Sequence, residues 1–126
     1  MTRSVVSTTK APRAIGAYSQ AISSDGLIFC SGQVALDTAT GELVGESVAD
    51  QTRRCMENLS AVLEAAGVGL ESVVKVNAYL TDMNDFAEFN EVYGEFFSDE
   101  PPARAAIGVA GLPKGARVEI ECIART

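Results

Sequence analysis

Pro101-Pro102 lacks a backbone N–H at both positions and cannot lie inside a helix or a paired central strand, so it cuts the chain in two. Beyond it, residues 101–124 read as two strands, 103–109 and 117–124, joined by the turn Gly111-Leu112-Pro113-Lys114-Gly115. Side chains alternate across a strand, which puts Arg104, Ala106 and Gly108 on one face and Ala105, Ile107 and Val109 on the other. In the second strand Val118, Ile120, Cys122 and Ala124 form an apolar face opposite Glu119, Glu121 and Ile123. An arginine flanked only by small residues has free volume beside it. With carboxylates on a nearby strand, the pattern suits binding and hydrolysis of a small anion. It equally suits a structural ion pair or a solvated face, since surface ion pairs are common and contribute little.

Composition narrows the chemistry. The 126 residues suffice for one domain, 1–126, and the 47% apolar and 21% charged content is that of a globular protein. A net charge of −7 with scattered basic residues argues against a nucleic-acid groove. No apolar run approaches a membrane span and the N-terminus has no signal-peptide pattern, so a cytoplasmic protein is expected. Cys30, Cys55 and Cys122 sit within apolar patterns and share no metal-ligand spacing; they read as buried free thiols, with no metal site. There is no histidine, which removes Ser-His and Cys-His dyads and leaves acid–base work to Glu, Asp, Lys, Tyr, Cys or water.

Before the prolines the chain alternates strand and helix. Residues 1–16 read as irregular, 17–22 as a short strand, and 27–33 as a strand closing a hairpin over Ser23-Ser24-Asp25-Gly26. Alternation puts Leu27, Phe29, Ser31 and Gln33 on one face of that strand and Ile28, Cys30 and Gly32 on the other. A turn at 37–42 leads to a brief strand at Leu43-Val44. Ser47 is placed as an N-cap, with Asp50 three residues on, and Thr52, Cys55, Met56, Leu59, Val62, Leu63 and Ala66 recur at helical spacing before Gly67 at C′. In the strand 73–81, Val74, Val76, Ala78 and Leu80 face one way and Val73, Lys75, Asn77 and Tyr79 the other. Asp82 or Asn84 caps a second helix, 85–97, whose Phe86, Phe89, Tyr93 and Phe96 form a stripe for the sheet. About six strands and two amphipathic helices predict an α+β domain with both helices on one face of a single sheet. The other sheet face is apolar enough for an oligomer interface.

Several stretches together resemble the Rid family of reactive intermediate deaminases, also called the YjgF family. They are Gly16-Ala17-Tyr18-Ser19-Gln20, Cys30-Ser31-Gly32-Gln33, Pro102-Ala103-Arg104, Leu112-Pro113-Lys114-Gly115 and Val118-Glu119-Ile120-Glu121, with Asn84-Asp85-Phe86, Asn90 and Phe96-Phe97 in the second helix. The resemblance spans essentially the whole chain. It implies a chorismate-mutase-like fold with a six-stranded mixed sheet, and a homotrimer with ligand clefts between subunits. It also implies hydrolysis of 2-iminoacids and enamines, such as 2-iminobutanoate and 2-iminopropanoate, to 2-ketoacids and ammonia without a cofactor.

Position by position, the resemblance gives Arg104 the substrate carboxylate, which a guanidinium grips by two parallel hydrogen bonds. Glu119 becomes the water-positioning base, with Glu121 as fallback or merely a structural or solvated charge. Backbone N–H groups near Ala106 and Gly32 meet the polar atom at C2, and Tyr18, Ser31 and Asn90 line the cleft. Each of these three also has an ordinary reading: packed aromatic, strand hydroxyl and helix-surface amide. Ala106 stands where some members have cysteine, so no thiol is essential there; Ala17 stands where others have proline. Alternation alone pairs the last two strands as a hairpin. The resemblance instead puts the last strand between others, so that Arg104 and Glu119 meet across a cleft from different subunits. Competing functions are an endoribonuclease, against which the charge and missing histidine count, and a non-catalytic small-acid binder or holdase chaperone.

Overall fold

The computed structural model describes residues 3–126. Its strands are β1 (Arg3–Val6), β2 (Ala21–Ser24), β3 (Leu27–Gln33), β4 (Val73–Leu80), β5 (Ala103–Gly108) and β6 (Val118–Arg125), with helices α1 (Val48–Ala65) and α2 (Phe86–Gly94). They form one mixed sheet in the order β1-β2-β3-β6-β4-β5. β4 and β5 run parallel, and the other neighbours are antiparallel. The last two strands are therefore not a hairpin: β6 enters between β3 and β4, and β5 lies outside β4. The segment from Val109 to Arg117 spans the intervening strand, helped by a 3-10 turn at Pro113–Gly115.

Both helices cover one face. Ile28 and Cys30 of β3, Val76, Ala78 and Leu80 of β4, and Val118, Ile120, Cys122 and Ala124 of β6 are buried there against Met56, Leu59, Val62 and Leu63 of α1 and Phe89 and Tyr93 of α2. Full burial of each large aliphatic side chain contributes about 1.5–3 kcal/mol. The opposite face is open. An apolar row crosses it from strand to strand, Val5–Ile22–Phe29–Ile123 in register, with Val5 63% and Phe29 44% exposed. Among the described residues no helix is long and apolar enough to cross a membrane.

Local chemistry accounts for α1. The Ser47 hydroxyl accepts the Asp50 N–H at 3.0 Å. At the far end Gly67, at φ +87°, donates to Glu64, while Val68 donates to Leu63, the paired bonds of a Schellman motif. α2 is shorter than its stripe implies. Asp82 caps a 3-10 turn through Asn84 N–H, α2 follows, and the helix stops at Gly94. Beyond that stop it is Phe97, not Phe96, whose ring meets Tyr93, at 4.9 Å between centroids.

Four local expectations are corrected. Residues 3–6 are an edge strand rather than irregular; four residues are too few to display a period of two. β2 begins at Ala21 rather than 17, because Tyr18 N–H turns back to the Gly16 carbonyl. The Gln20 amide next to it ties Thr8 and Pro12 to the sheet. At Leu43-Val44 there is a single bridge, Leu36 with Leu43. The remaining correction is made by bulges, where one extra residue inverts the alternation. Between Val73 and Lys75 the register with β6 shifts, so Val73 is buried and Val74 exposed, the reverse of strict alternation. Between Cys30 and Gln33 it shifts again, turning Gln33 inward and Gly32 toward the open face.

The three cysteines are buried and free.

Replacing Gly67 by alanine tests the C-cap. Nothing lies within 4 Å of the added methyl, so only the left-handed backbone is penalised. The expected loss is about 1 kcal/mol and a fall of a few degrees in Tm, read by thermal denaturation at fixed protein concentration.

Candidate active site

The first group of predicted residues lies where β5 meets α2. Arg104 sits in register with buried Val76, so it faces the helices. Its Nη1 donates to Asn90 Oδ1 at 2.7 Å, and its guanidinium lies over aromatic rings of α2. The expected free volume on this face is filled: Met83 stands beside Gly108, and Ala106, opposite Ala78, packs against the core. No carboxylate among the described residues pairs with Arg104; the ion pairs are Arg53–Glu95, Arg54–Glu57 and Arg117–Asp85. The structural ion pair is thereby excluded within one chain. β5 is the sheet edge, so Ala106 belongs to a strand with backbone groups unpaired on its outer side.

The second group lies on the open face. Glu119, in register with Tyr79, points away from the helices. The bulge in β3 brings the Gly32 backbone onto it: a β-carbon at Gly32 would lie 2.9 Å from the carboxyl carbon. Only glycine admits that approach. No described residue donates a hydrogen bond to Glu119. Burial, then the charge of Glu121, holds its pKa above the ordinary glutamate value of 4.5. Glu121 is differently placed, accepting from the Tyr79 hydroxyl at 2.6 Å and from Asn77 Nδ2 at 3.1 Å. That charged acceptor, with burial behind it, pushes the Tyr79 phenol up to about 12. Of two glutamates with the same strand parity, Glu121 is committed to its neighbours and Glu119 is not.

Next to Gly32, the Ser31 hydroxyl donates to the Ser19 carbonyl at 2.6 Å and its N–H to the Gln20 carbonyl. Tyr18, 52% exposed, accepts the Ile15 N–H on its hydroxyl at 3.3 Å. Tyr18 and Ser31 line one open cleft of about 470 Å³, shared with Arg3 and Phe29. A wider cleft of about 630 Å³, rimmed by Glu71, Glu95, Asp99 and Glu100, takes in none of the predicted residues. Of the buried cysteines, burial pushes the Cys55 thiol up, while a hydrogen bond between Cys122 and Cys30 pushes Cys122 up and holds Cys30 below the ordinary thiol value.

One chain thus assembles two separate halves, Arg104 with Asn90 and Ala106, and Glu119 with Gly32, adjoined by Ser31 and Tyr18. They lie on opposite faces of the sheet, and β4 separates β5 from β6. Sequence reasoning missed the Asn77–Tyr79–Glu121 network and the bond from Arg104 to Asn90. It also missed the bulge that turns Gly32 toward Glu119, although a glycine inside a strand is itself a signal for one.

Residues 8–126 match the family model described as Endoribonuclease L-PSP. The 2-iminobutanoate/2-iminopropanoate deaminase of Mus musculus is 52% identical over 122 residues, covering 97% of this chain and 90% of its own. A RutC family protein of Pyrococcus horikoshii is 51% identical, covering 97% of each chain. Among solved structures, RidA from Psychrobacter sp. superposes with a TM-score of 0.94 at 46% identity over 98% of this chain and 99% of its own. E. coli TdcF with bound serine does so with 0.93 at 40% identity over 98% of each. Motifs, strand order and whole-length similarity agree, and the chain belongs to the endoribonuclease L-PSP family, that is, the Rid or YjgF family.

Proposed function

We propose that this protein hydrolyses small 2-iminoacids and their enamine tautomers, of the 2-iminobutanoate and 2-iminopropanoate kind, to 2-ketoacids and ammonia. The named activity of relatives about half identical over nearly the full length supports this reading. The observation that carries it is the uncommitted, partly desolvated carboxylate of Glu119 against a glycine backbone, beside a glutamate already tied down. A small-acid binder needs Arg104 but has no use for such a group.

The site is a cleft between subunits of a homotrimer, with Arg104, Asn90 and Ala106 from one subunit and Glu119, Gly32, Ser31 and Tyr18 from its neighbour. Two facts support this assembly: the halves lie on opposite faces of one sheet, and the open face carries the apolar row Val5–Ile22–Phe29–Ile123. Closed cyclic assembly covers such a face without leaving an open-ended interface. Arg104 grips the carboxylate. Glu119 takes a proton from water as its oxygen adds to C2, the C=N π pair moves onto nitrogen, and Glu119 passes that proton to it, giving a carbinolamine. Glu119 then takes the hydroxyl proton of the carbinolamine and gives it to the nitrogen, the C–N bond breaks, ammonia leaves and C2 becomes a carbonyl. Backbone N–H groups at Ala106 and Gly32 receive the polar atom at C2. No cofactor enters this sequence. The buried free thiols agree with a cytoplasmic protein that clears reactive intermediates.

The direct test is ammonia release from 2-iminobutanoate generated in situ by a threonine dehydratase. A rate no higher than spontaneous hydrolysis overturns the proposal, and cleavage of RNA by the same preparation would put the endoribonuclease reading in its place. Removing one partner of a buried, hydrogen-bonded charge pair costs about 2–5 kcal/mol, so Arg104→Ala is expected to lower kcat/KM roughly 30-fold to several thousand-fold. Arg104→Lys, which loses the fork, also falls well below wild type. Glu119→Gln keeps KM and loses kcat, a split visible in steady-state kinetics.

Gly32→Ala places a methyl group where the Glu119 carboxylate lies, so it is expected to fold and to lose kcat; full activity would show that the carboxylate's seat is unimportant. The pH profile gives an independent reading. Glu119 works as its anion, and its raised pKa means that the anion is lost, as pH falls, earlier than for an ordinary glutamate. The acid limb of kcat should lie above 4.5, and Glu121→Gln should move it down only part of the way, because burial is the larger cause. An acid limb at the ordinary value, unmoved by Glu121→Gln, would exclude Glu119 as the base.

A further inference from the structure

Nothing on β5 itself holds the Arg104 guanidinium, since its neighbours on that face are Ala106 and Gly108. What it meets is α2. Phe86, Phe89 and Tyr93 share one face of that helix, and the guanidinium carbon stands 5.6, 5.7 and 4.9 Å from their ring centroids. The rings support one another, Phe86 on Phe89 at 6.1 Å and Phe89 on Tyr93 at 5.5 Å. Phe89 and Tyr93 are buried, so this surface is rigid. A guanidinium is attracted to an aromatic face and, being planar, can lie against it while its N–H edge stays available. Asn90, on the same helix, engages Nη1. The Tyr93 hydroxyl is buried and finds no hydrogen-bond partner among the described residues, so the ring, not the phenol, is what this position offers.

We infer that Tyr93, backed by Phe89 and Phe86, is a positioning residue for carboxylate recognition. The three rings constrain the guanidinium, Asn90 pins one end, and the remaining N–H edge is presented to the ligand without a search among rotamers. This rests on the reading of Arg104 as the carboxylate anchor and extends it to a second layer that touches no substrate.

The test compares Tyr93→Leu, which removes the π face, with Tyr93→Phe, which keeps it. The readouts are the Kd for 2-oxobutanoate by calorimetry and KM and kcat for 2-iminobutanoate. Tyr93→Leu is expected to raise Kd and KM about 10-fold and to leave kcat within about 2-fold, whereas Tyr93→Phe stays within about 2-fold of wild type throughout. Circular dichroism and melting establish that each variant is folded. Should Tyr93→Leu not fold, Phe86→Leu, at a half-buried position, is expected to shift Kd about 3-fold in the same direction. Equal losses in the Phe and Leu variants, an unchanged Kd in Tyr93→Leu (or in Phe86→Leu where it stands in), or a loss confined to kcat overturns the inference. So does wild-type protein that fails to bind 2-oxobutanoate. Wild type that binds 2-oxobutanoate tightly but releases no ammonia removes the deaminase reading alone, and the comparison of Kd values still decides the role of Tyr93.

Discussion

The insertion of β6 between β3 and β4 is the constraint on which the site depends. It sets Glu119 against the bulged backbone of Gly32 on one side and in register with Tyr79 on the other. It also displaces β5 to the far side of β4, and the register there, Arg104 beside Val76 and Glu119 beside Tyr79, turns the two side chains to opposite faces. Among the described residues neither side chain forms an ion pair.

The difference between the two glutamates is one of solvation. Glu121 receives two hydrogen bonds, from Tyr79 and Asn77, and such bonds to a charged acceptor contribute about 1.5–3 kcal/mol each. Glu119 loses water to the same neighbourhood and receives none in return, and the fixed charge of Glu121 adds to the cost of its anion. A carboxylate in that condition binds a proton readily and gains from a water molecule placed against it, which are two properties of a general base. Residues two apart on one strand thus differ in chemistry because of what the neighbouring strand presents.

Much of this was legible in the residues. α1 could be read with both caps, Ser47 and Gly67, because capping is local chemistry. The faces of Arg104, Glu119 and Glu121 followed from a period of two, and the aromatic stripe of α2 from a period of 3.6. What could not be read is decided by pairing. β1 is too short to carry a pattern and exists because β2 lies beside it. The bulges at Ser31-Gly32 and Val73-Val74 each shift one residue and invert everything inferred by alternation past them. The strand order came from motif resemblance, not from periodicity, since alternation says which way a side chain faces but not which strand is next. The buried amides of Gln20, Gln51 and Asn58 belong to no apolar pattern, and only the structure shows them holding loop carbonyls.

The position of β6 also sets the order in which the protein can be built. β6 is the last of the six strands to leave a ribosome, yet it is hydrogen-bonded on both sides, Leu27 pairing with Arg125, 125 − 27 = 98 positions away. Until it arrives, the β1–β2–β3 meander and the β4–β5 pair have no shared edge. The long loop must be closed against its chain entropy before most of the sheet's pairing is recovered, a topology that folds slowly for its size. During synthesis β3 and β4 each expose an unpaired edge, and a neighbouring nascent chain can offer a strand to either. The central placement that keeps Arg104 and Glu119 apart therefore also concentrates the risk of misassembly in the interval before the final strand is inserted.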